Sequence, residues 1–325
     1  MHYMVLYRGP LSSCNYGCVY CPFATNSETY AELADDRAAL ERFLGWVKEQ
    51  AVRGHDLSIL FTPWGEALIR PWYQDALARL THFSHVRKAA IQTNISCHLN
   101  WLTQCDLSKL GLWCTYHPSE TTRGRFIARC RELDARGVKY SVGIVGLKEN
   151  INEATELRRE LHPDVYLWVN AFKPAGPYYA AEDVRAFTSL DPLFPFNNTR
   201  HPSLGKPCRS GDSVFSVDGN GTMRRCHFIK EPIGNIYCDD WETSLQPTPC
   251  TNQTCGCHIG YVHMPELSLY DLFGAGILER IPDRGQVRLT THAGDLKQSS
   301  PGIISRGSSS AAAQGISYRV YRVEK

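Results

Sequence analysis

Three cysteines stand within eight residues near the start of the chain, in the run Cys14-Asn15-Tyr16-Gly17-Cys18-Val19-Tyr20-Cys21. The spacing is C-x3-C-x2-C. Three thiolates so placed can wrap one small inorganic cluster. A four-iron, four-sulfide cube offers four irons, so three protein ligands leave one iron open to another molecule. A structural zinc site instead asks for four closed ligands, usually two C-x2-C pairs. Structural zinc and unligated thiols are the rival readings. The chain carries 13 cysteines in 325 residues. An odd count forbids complete internal disulfide pairing, and a chain this long needs no disulfide framework to hold a core.

A second group follows far downstream: Cys208, Cys226, Cys238, Cys250, Cys255 and Cys257. Cys208 to Cys226 reads C-x12-G-x4-C, with Gly221 as the glycine. Between them, Phe215 to Met223 forms two strand-like fragments about Asp-Gly and Asn-Gly, a hairpin signal that would bring Cys208 and Cys226 near each other. Cys97, Cys105, Cys114 and Cys130 are scattered, and Cys114 and Cys130 read as small buried hydrophobes.

Elements that would position the triplet alternate between the two hydrophobic periods. Strands are expected at Tyr3 to Arg8, Leu57 to Phe61, Val86 to Thr93, Leu112 to Tyr116, Val138 to Val145 and Val165 to Phe172. Helical spacing separates them, for example Leu33, Leu40, Phe43, Leu44 and Val47. Gly137 suits a helix C-terminus, and Asn150 with Glu153 reads as a capping box. Helices are also expected around Trp72 to Leu80 and Asn100 to Leu110. Six such units imply an α/β fold with a parallel sheet, a partial (β/α)6 TIM-like barrel rather than the full eight-fold one. A small Cys-rich α+β extension follows. The expected layout is a barrel over 1–175, a connector over 176–207, the Cys-rich part over 208–285 and a flexible tail over 286–325. The connector carries six prolines between 174 and 207.

The chain resembles the radical S-adenosylmethionine (radical SAM) superfamily, on the C-x3-C-x2-C motif after strand 1 with the aromatic Tyr20 before the last cysteine. That resemblance implies a [4Fe–4S] cluster on Cys14, Cys18 and Cys21, with SAM on the open iron. It implies reductive cleavage of SAM to a 5′-deoxyadenosyl radical that abstracts hydrogen from a substrate. Further matches fall at strand ends. Thr62-Pro63-Trp64-Gly65-Glu66 resembles a Gly-Gly-Glu motif that binds the SAM amino group, with Trp64 in place of the first glycine. Asn94 matches a Thr-Asn pair, and Thr115 and His117 stand where polar residues reach SAM. Gly143-Ile144-Val145-Gly146-Leu147-Lys148-Glu149 resembles a G-x-I-x-G-x-x-E pattern, with one residue fewer between its glycines, in which glycine admits the adenine and Ile144 lies against it. Asn170 and Lys173 belong to the same end if the strand register holds. Trp64 and Tyr178-Tyr179 are candidates to line a substrate cleft.

The downstream group resembles the SPASM/twitch extension of peptide- and protein-modifying members, although its later spacing departs from the seven-cysteine pattern. It implies one auxiliary [4Fe–4S] cluster on Cys208, Cys226 and two of Cys250, Cys255 and Cys257. Zinc, with His258 as a ligand, and free thiols remain the alternatives. The implied substrate is a peptide or protein and the implied reductant a flavodoxin or ferredoxin. A small-metabolite enzyme and a non-catalytic metal-binding scaffold are the competing functions.

Charge narrows the classes further. Lysine plus arginine number 35 against 33 acidic residues, a net charge of +2. That balance gives no electrostatic case for nucleic acid or a membrane surface. No apolar run approaches the roughly 18–20 residues of a membrane span. A start that reads as a strand leads us to expect a cytoplasmic protein.

Overall fold

The computed structural model describes residues 1–23 and 27–283. The expected tail over 286–325 lies outside the described residues. Six parallel strands form the centre: β1 (His2–Arg8), β2 (Asp56–Phe61), β3 (Val86–Thr93), β4 (Leu110–Tyr116), β5 (Lys139–Gly146) and β6 (Leu167–Ala171). Between them run α1 (Tyr30–Glu49), α2 (Pro71–His82), α3 (Arg123–Arg136) and α4 (Ile151–Glu160). Then come α5 (Ala181–Leu190), α6 (Phe194–Asn198) and the short strand β7 (His201–Pro202). The partial barrel expected from the sequence is present.

Local chemistry sets the helix ends. Thr29 and Glu32 form a reciprocal capping box at the start of α1, and Pro71 opens α2 where its missing N–H costs nothing. Gly137 ends α3 at φ +70°, in the left-handed region. The expected capping box at α4 is absent. The Asn150 side chain donates instead to the carbonyl of Val145, and Glu153 accepts from the Tyr116 hydroxyl and pairs with Arg123. The helix expected over Asn100 to Leu110 is a short 3₁₀ turn at Asn100–Gln104, because Leu110 already belongs to β4.

Strand alternation gives the sheet two apolar faces. Val5, Ile59, Ile91, Leu112, Val142, Ile144 and Val169 face outward onto α1 to α4 and make the larger core. Each such fully buried side chain contributes about 1.5–3 kcal/mol relative to exposure. Met4, Leu6, Leu60, Ala90, Trp113 and Trp168 face inward.

The Cys-rich part does two separate jobs in this frame. Its strands β8 (Val214–Asp218), β9 (Thr222–Arg224) and β10 (Pro232–Asn235) extend the main sheet, giving the order β10-β9-β8-β1-β2-β3-β4-β5-β6. β8 pairs parallel with β1, and β8 with β9 form the expected hairpin. The chain then forms β11 (Thr254–Cys255), which pairs with β7, and two short helices, α7 (His258–Tyr261) and α8 (Leu269–Phe273). These helices with Ile277 and Leu278 pack onto the inward face, so residues 258–280 fill the hollow of the barrel. Glu279 seals that packing. It pairs with Lys88 on β3 at 2.7 Å, and its carbonyl accepts from the Ser141 hydroxyl at 2.5 Å. Among the described residues, no helix is long and apolar enough to cross a membrane.

Candidate active site

The cysteine triplet sits on the loop after β1, and neighbouring elements fix that loop from every side. The Glu28 carboxylate accepts from the backbone N–H groups of Ser12 and Ser13 and from both hydroxyls. Gly17 N–H donates to Glu120 at 2.9 Å. The Asn15 amide donates to Ser96, while its carbonyl oxygen accepts from Asn94 at 3.1 Å. Gly65, after β2, lies so close that a Cβ there would stand 1.8 Å from the Ser13 carbonyl oxygen. Glycine is therefore obligatory at 65 through close approach of two backbones, not through an unusual φ.

Cys14, Cys18 and Cys21 all line one cavity of about 430 Å³ at the C-terminal ends of the strands. Burial raises the Cys14 thiol and pushes Cys18 up to about 11. A metal would displace those protons on binding. The Cys14 sulfur also accepts from the Tyr16 N–H at 3.4 Å. Among the described residues, no three His, Cys, Asp or Glu side chains are gathered closely enough to hold a single metal ion. A cube is held differently, each thiolate meeting a different iron, so three soft donors on one arched loop fit a cluster better than one zinc.

Most of the strand-end residues singled out in the sequence meet the same cavity: Tyr20, Gly65, Glu66, Asn94, Thr115 and His117, with Asn170, Lys173 and Trp64. The Tyr20 hydroxyl and His117 Nδ1 are 2.8 Å apart, with the rings stacked. Burial pushes His117 down to about 4, so its imidazole is neutral near pH 7. Glu66 is 3% exposed and its carboxylate is already occupied. It accepts from Leu68 N–H at 2.9 Å, the Thr93 hydroxyl at 2.8 Å and Asn94 N–H at 2.5 Å. It therefore ties the β2 and β3 ends together, with two donors on Oε1 and one on Oε2. Burial nevertheless pushes Glu66 up to about 7.

Four residues expected at the site or its cleft, Gly143, Ile144, Tyr178 and Tyr179, do not line the cavity. Ile144 is fully buried on the outward face, because Gly143 beside it takes the inward position opposite Thr115. At Gly143 a Cβ would lie 2.1 Å from the Trp168 indole, so the space this glycine leaves is filled by Trp168. Tyr179 is likewise no cleft residue. Its hydroxyl joins the ends of β5 and β6, donating to the Gly146 carbonyl and accepting from Phe172 N–H.

The cavity has walls the sequence did not disclose. Trp113 and Trp168 rise from the inner face, and Cys257, His258 and Arg280 reach it from the C-terminal segment. Nothing in the spacing marks Arg280, which becomes a site residue only because that segment enters the barrel.

The second cysteine group also separates. Cys208, Cys226, Cys250 and Cys255 line one small pocket with apolar walls from Phe228, Ile229 and Met264. Burial pushes Cys226 up to about 11 and Cys255 up to about 12. Cys257 instead faces the main cavity, and Cys238 is exposed. Four thiols around one apolar pocket are a suitable donor set for a cube. All thirteen cysteines are unpaired in disulfide terms.

No protein-family model matches the chain, and no curated protein matches it. Among solved structures, native anSMEcpe with bound AdoMet is similar with a TM-score of 0.51 and 17% identity, over 74% of this chain and 80% of that one. The same protein with bound AdoMet and the Kp18Cys peptide gives a TM-score of 0.51 and 16% identity, over 75% and 80% of the two chains. SuiB of Streptococcus suis gives 0.51 and 14%, over 74% of this chain and 65% of that one. The likeness is one of fold.

Proposed function

We propose that this chain is a radical SAM enzyme. The observation that carries the reading is the convergence of Cys14, Cys18 and Cys21 with Tyr20, Asn94, Thr115 and His117 on one cavity at the strand ends. Residue types, spacing and fold agree on that point. When bound, the [4Fe–4S] cluster and SAM supply one-electron cleavage and abstraction of a hydrogen atom from the substrate.

The chain's own residues shape where this happens. Cys14, Cys18 and Cys21 would hold the cluster. Thr115, Asn94 and Asn170 offer neutral polar groups to SAM, and the neutral His117 adds no competing charge. Trp64, packed on Phe23 and under the Arg8 guanidinium, walls the mouth against water. Cys208, Cys226, Cys250 and Cys255 hold a second cluster, as in a SPASM/twitch-like part. The substrate class favoured is a peptide or protein segment, supported by the fold likeness to a protein solved with a bound peptide.

The test is anaerobic. Reconstituted, chemically reduced protein with SAM should form 5′-deoxyadenosine and methionine. No product above a Cys18→Ala control would overturn the reading and leave the metal-binding scaffold in its place.

A further inference from the structure

Arg280 is an arginine inside a barrel. It is 2% exposed, yet among the described residues it forms no ion pair, and its Nε has no hydrogen-bond partner. Buried charges are ordinarily paired or hydrogen-bonded, because losing water is costly. The nearby carboxylates are committed elsewhere. Glu279 pairs with Lys88 through Oε1, while its buried Oε2 has no hydrogen-bond partner and lies against Gly111. Asp191 accepts from the Tyr166 hydroxyl, Leu193 N–H and Val169 N–H, and acts on Arg280 only through space.

The guanidinium rests on two indoles, its carbon 4.5 Å from the Trp168 ring centre and 5.5 Å from that of Trp113. Cation–π attraction offsets part of the desolvation and orients the fork without using its N–H groups. The backbone of Arg280 has φ +56°, a strained region for a long side chain. It is held there because Trp168 Nε1 donates to Ser141 Oγ, which donates to the Glu279 carbonyl. Strain held in place by this many contacts, on a residue that lines a cavity, points to a use for the side chain.

His258 lines the same cavity, edge-on to Trp113, and its buried Nε2 also lacks a partner. Lys173, the other cation there, already donates to the carbonyls of Asn197 and Gly256. One uncommitted positive charge matches one negative charge, which suits a carboxylate better than a phosphate dianion.

We infer that Arg280, with His258 beside it, is the binding subsite for a carboxylate of the substrate, deep in the cavity that the cysteine triplet caps. Trp113 and Trp168 lie one strand step deeper than Thr115 and Asn170. A substrate anchored on Arg280 thus extends toward the strand ends. The carboxylate belongs to a peptide terminus or to a small acid. What the other end of the substrate meets rests on the radical SAM reading, while the binding claim stands apart from it.

The test is a titration of the reconstituted full chain, read by tryptophan fluorescence, since two indoles touch the site. The probes are glutarate, dimethyl glutarate, a tetrapeptide with a free C-terminal carboxylate, and its amide. The acids should perturb the signal saturably and the neutral forms should not. A preference for the peptide acid assigns the carboxylate to a peptide, and a preference for glutarate assigns it to a small acid. Arg280→Gln should weaken binding roughly thirtyfold or more. Arg280→Lys, which keeps the charge but not the planar fork, should fall between. It also guards against a folding defect, judged by iron content and circular dichroism. Equal binding of acids and neutral forms, tighter binding of inorganic phosphate, or unchanged affinity in a folded Arg280→Gln would overturn the inference. Formation of 5′-deoxyadenosine by the wild-type chain is scored separately, so failure of the enzyme reading is distinguishable from failure of the subsite.

Discussion

The Tyr20 hydroxyl meets His117 Nδ1 at 2.8 Å, joining the cysteine loop to the end of β4 across 97 residues of chain. Tyr20→Phe should keep its cluster and fold but lose this bond, about 1 kcal/mol. The rate of 5′-deoxyadenosine formation should fall roughly three- to tenfold, with iron content unchanged. Tyr20→Ala also loses the stacked ring and should fall further.

Iron counting separates the cysteines. With two cubes the chain should hold about eight irons, and Cys18→Ala and Cys255→Ala should each hold about four. Cys257→Ala should keep about eight, because Cys257 faces the main cavity rather than the four-thiol pocket. About four irons in that variant would return Cys257 to the ligand set.

Gly65→Ala puts a methyl group where the Ser13 carbonyl already is, at 1.8 Å. The loop must move, at a cost of about 1–3 kcal/mol. Metal loss should be confined to the first site, leaving about four irons and a lower unfolding midpoint.

Glu66 carries a pH signature. Its folded pKa, about 7, lies above the 4.5 of an ordinary glutamate because burial disfavours the charged form. The folded chain therefore binds this proton more tightly than the unfolded chain does. The resulting stabilisation is fully present below about 4.5 and is lost as pH rises through about 7. Glu66→Gln removes that dependence. Between pH 5 and pH 8 the metal-free wild type should lose stability relative to the variant, on the order of 3 kcal/mol at most. Parallel urea midpoints in the two proteins would show instead that its three donors keep Glu66 ionised throughout.

The sequence was read most easily where chemistry and spacing are local. The triplet, the order of six strands, the Gly137 stop and the hairpin at Gly221 all rest on contacts within a few residues. Parity was harder. Gly143 and Ile144 are adjacent, and only pairing with Thr115 and Tyr116 decides which of them faces inward. Glu153 resembles a cap three residues after Asn150 but finds stronger partners in Arg123 and Tyr116, on other elements. Arg280 was invisible for the same reason at longer range. Its role depends on Lys88, Ser141 and Trp168, which no local pattern connects to it.

The pairing of β8 with β1 also bears on how the chain is made. Met4 lies beside Val214 and Arg8 beside Asp218, so the first strand waits for a partner about two hundred residues away. During synthesis its pairing edge stays open while β2 to β6 assemble on the other side. Contacts of such high sequence separation form slowly, and an uncovered strand edge is a template for the wrong partner. A strand made about two hundred residues before its partner is thus among the last to be completed, and yield in the cell should depend on keeping that edge covered until β8 arrives.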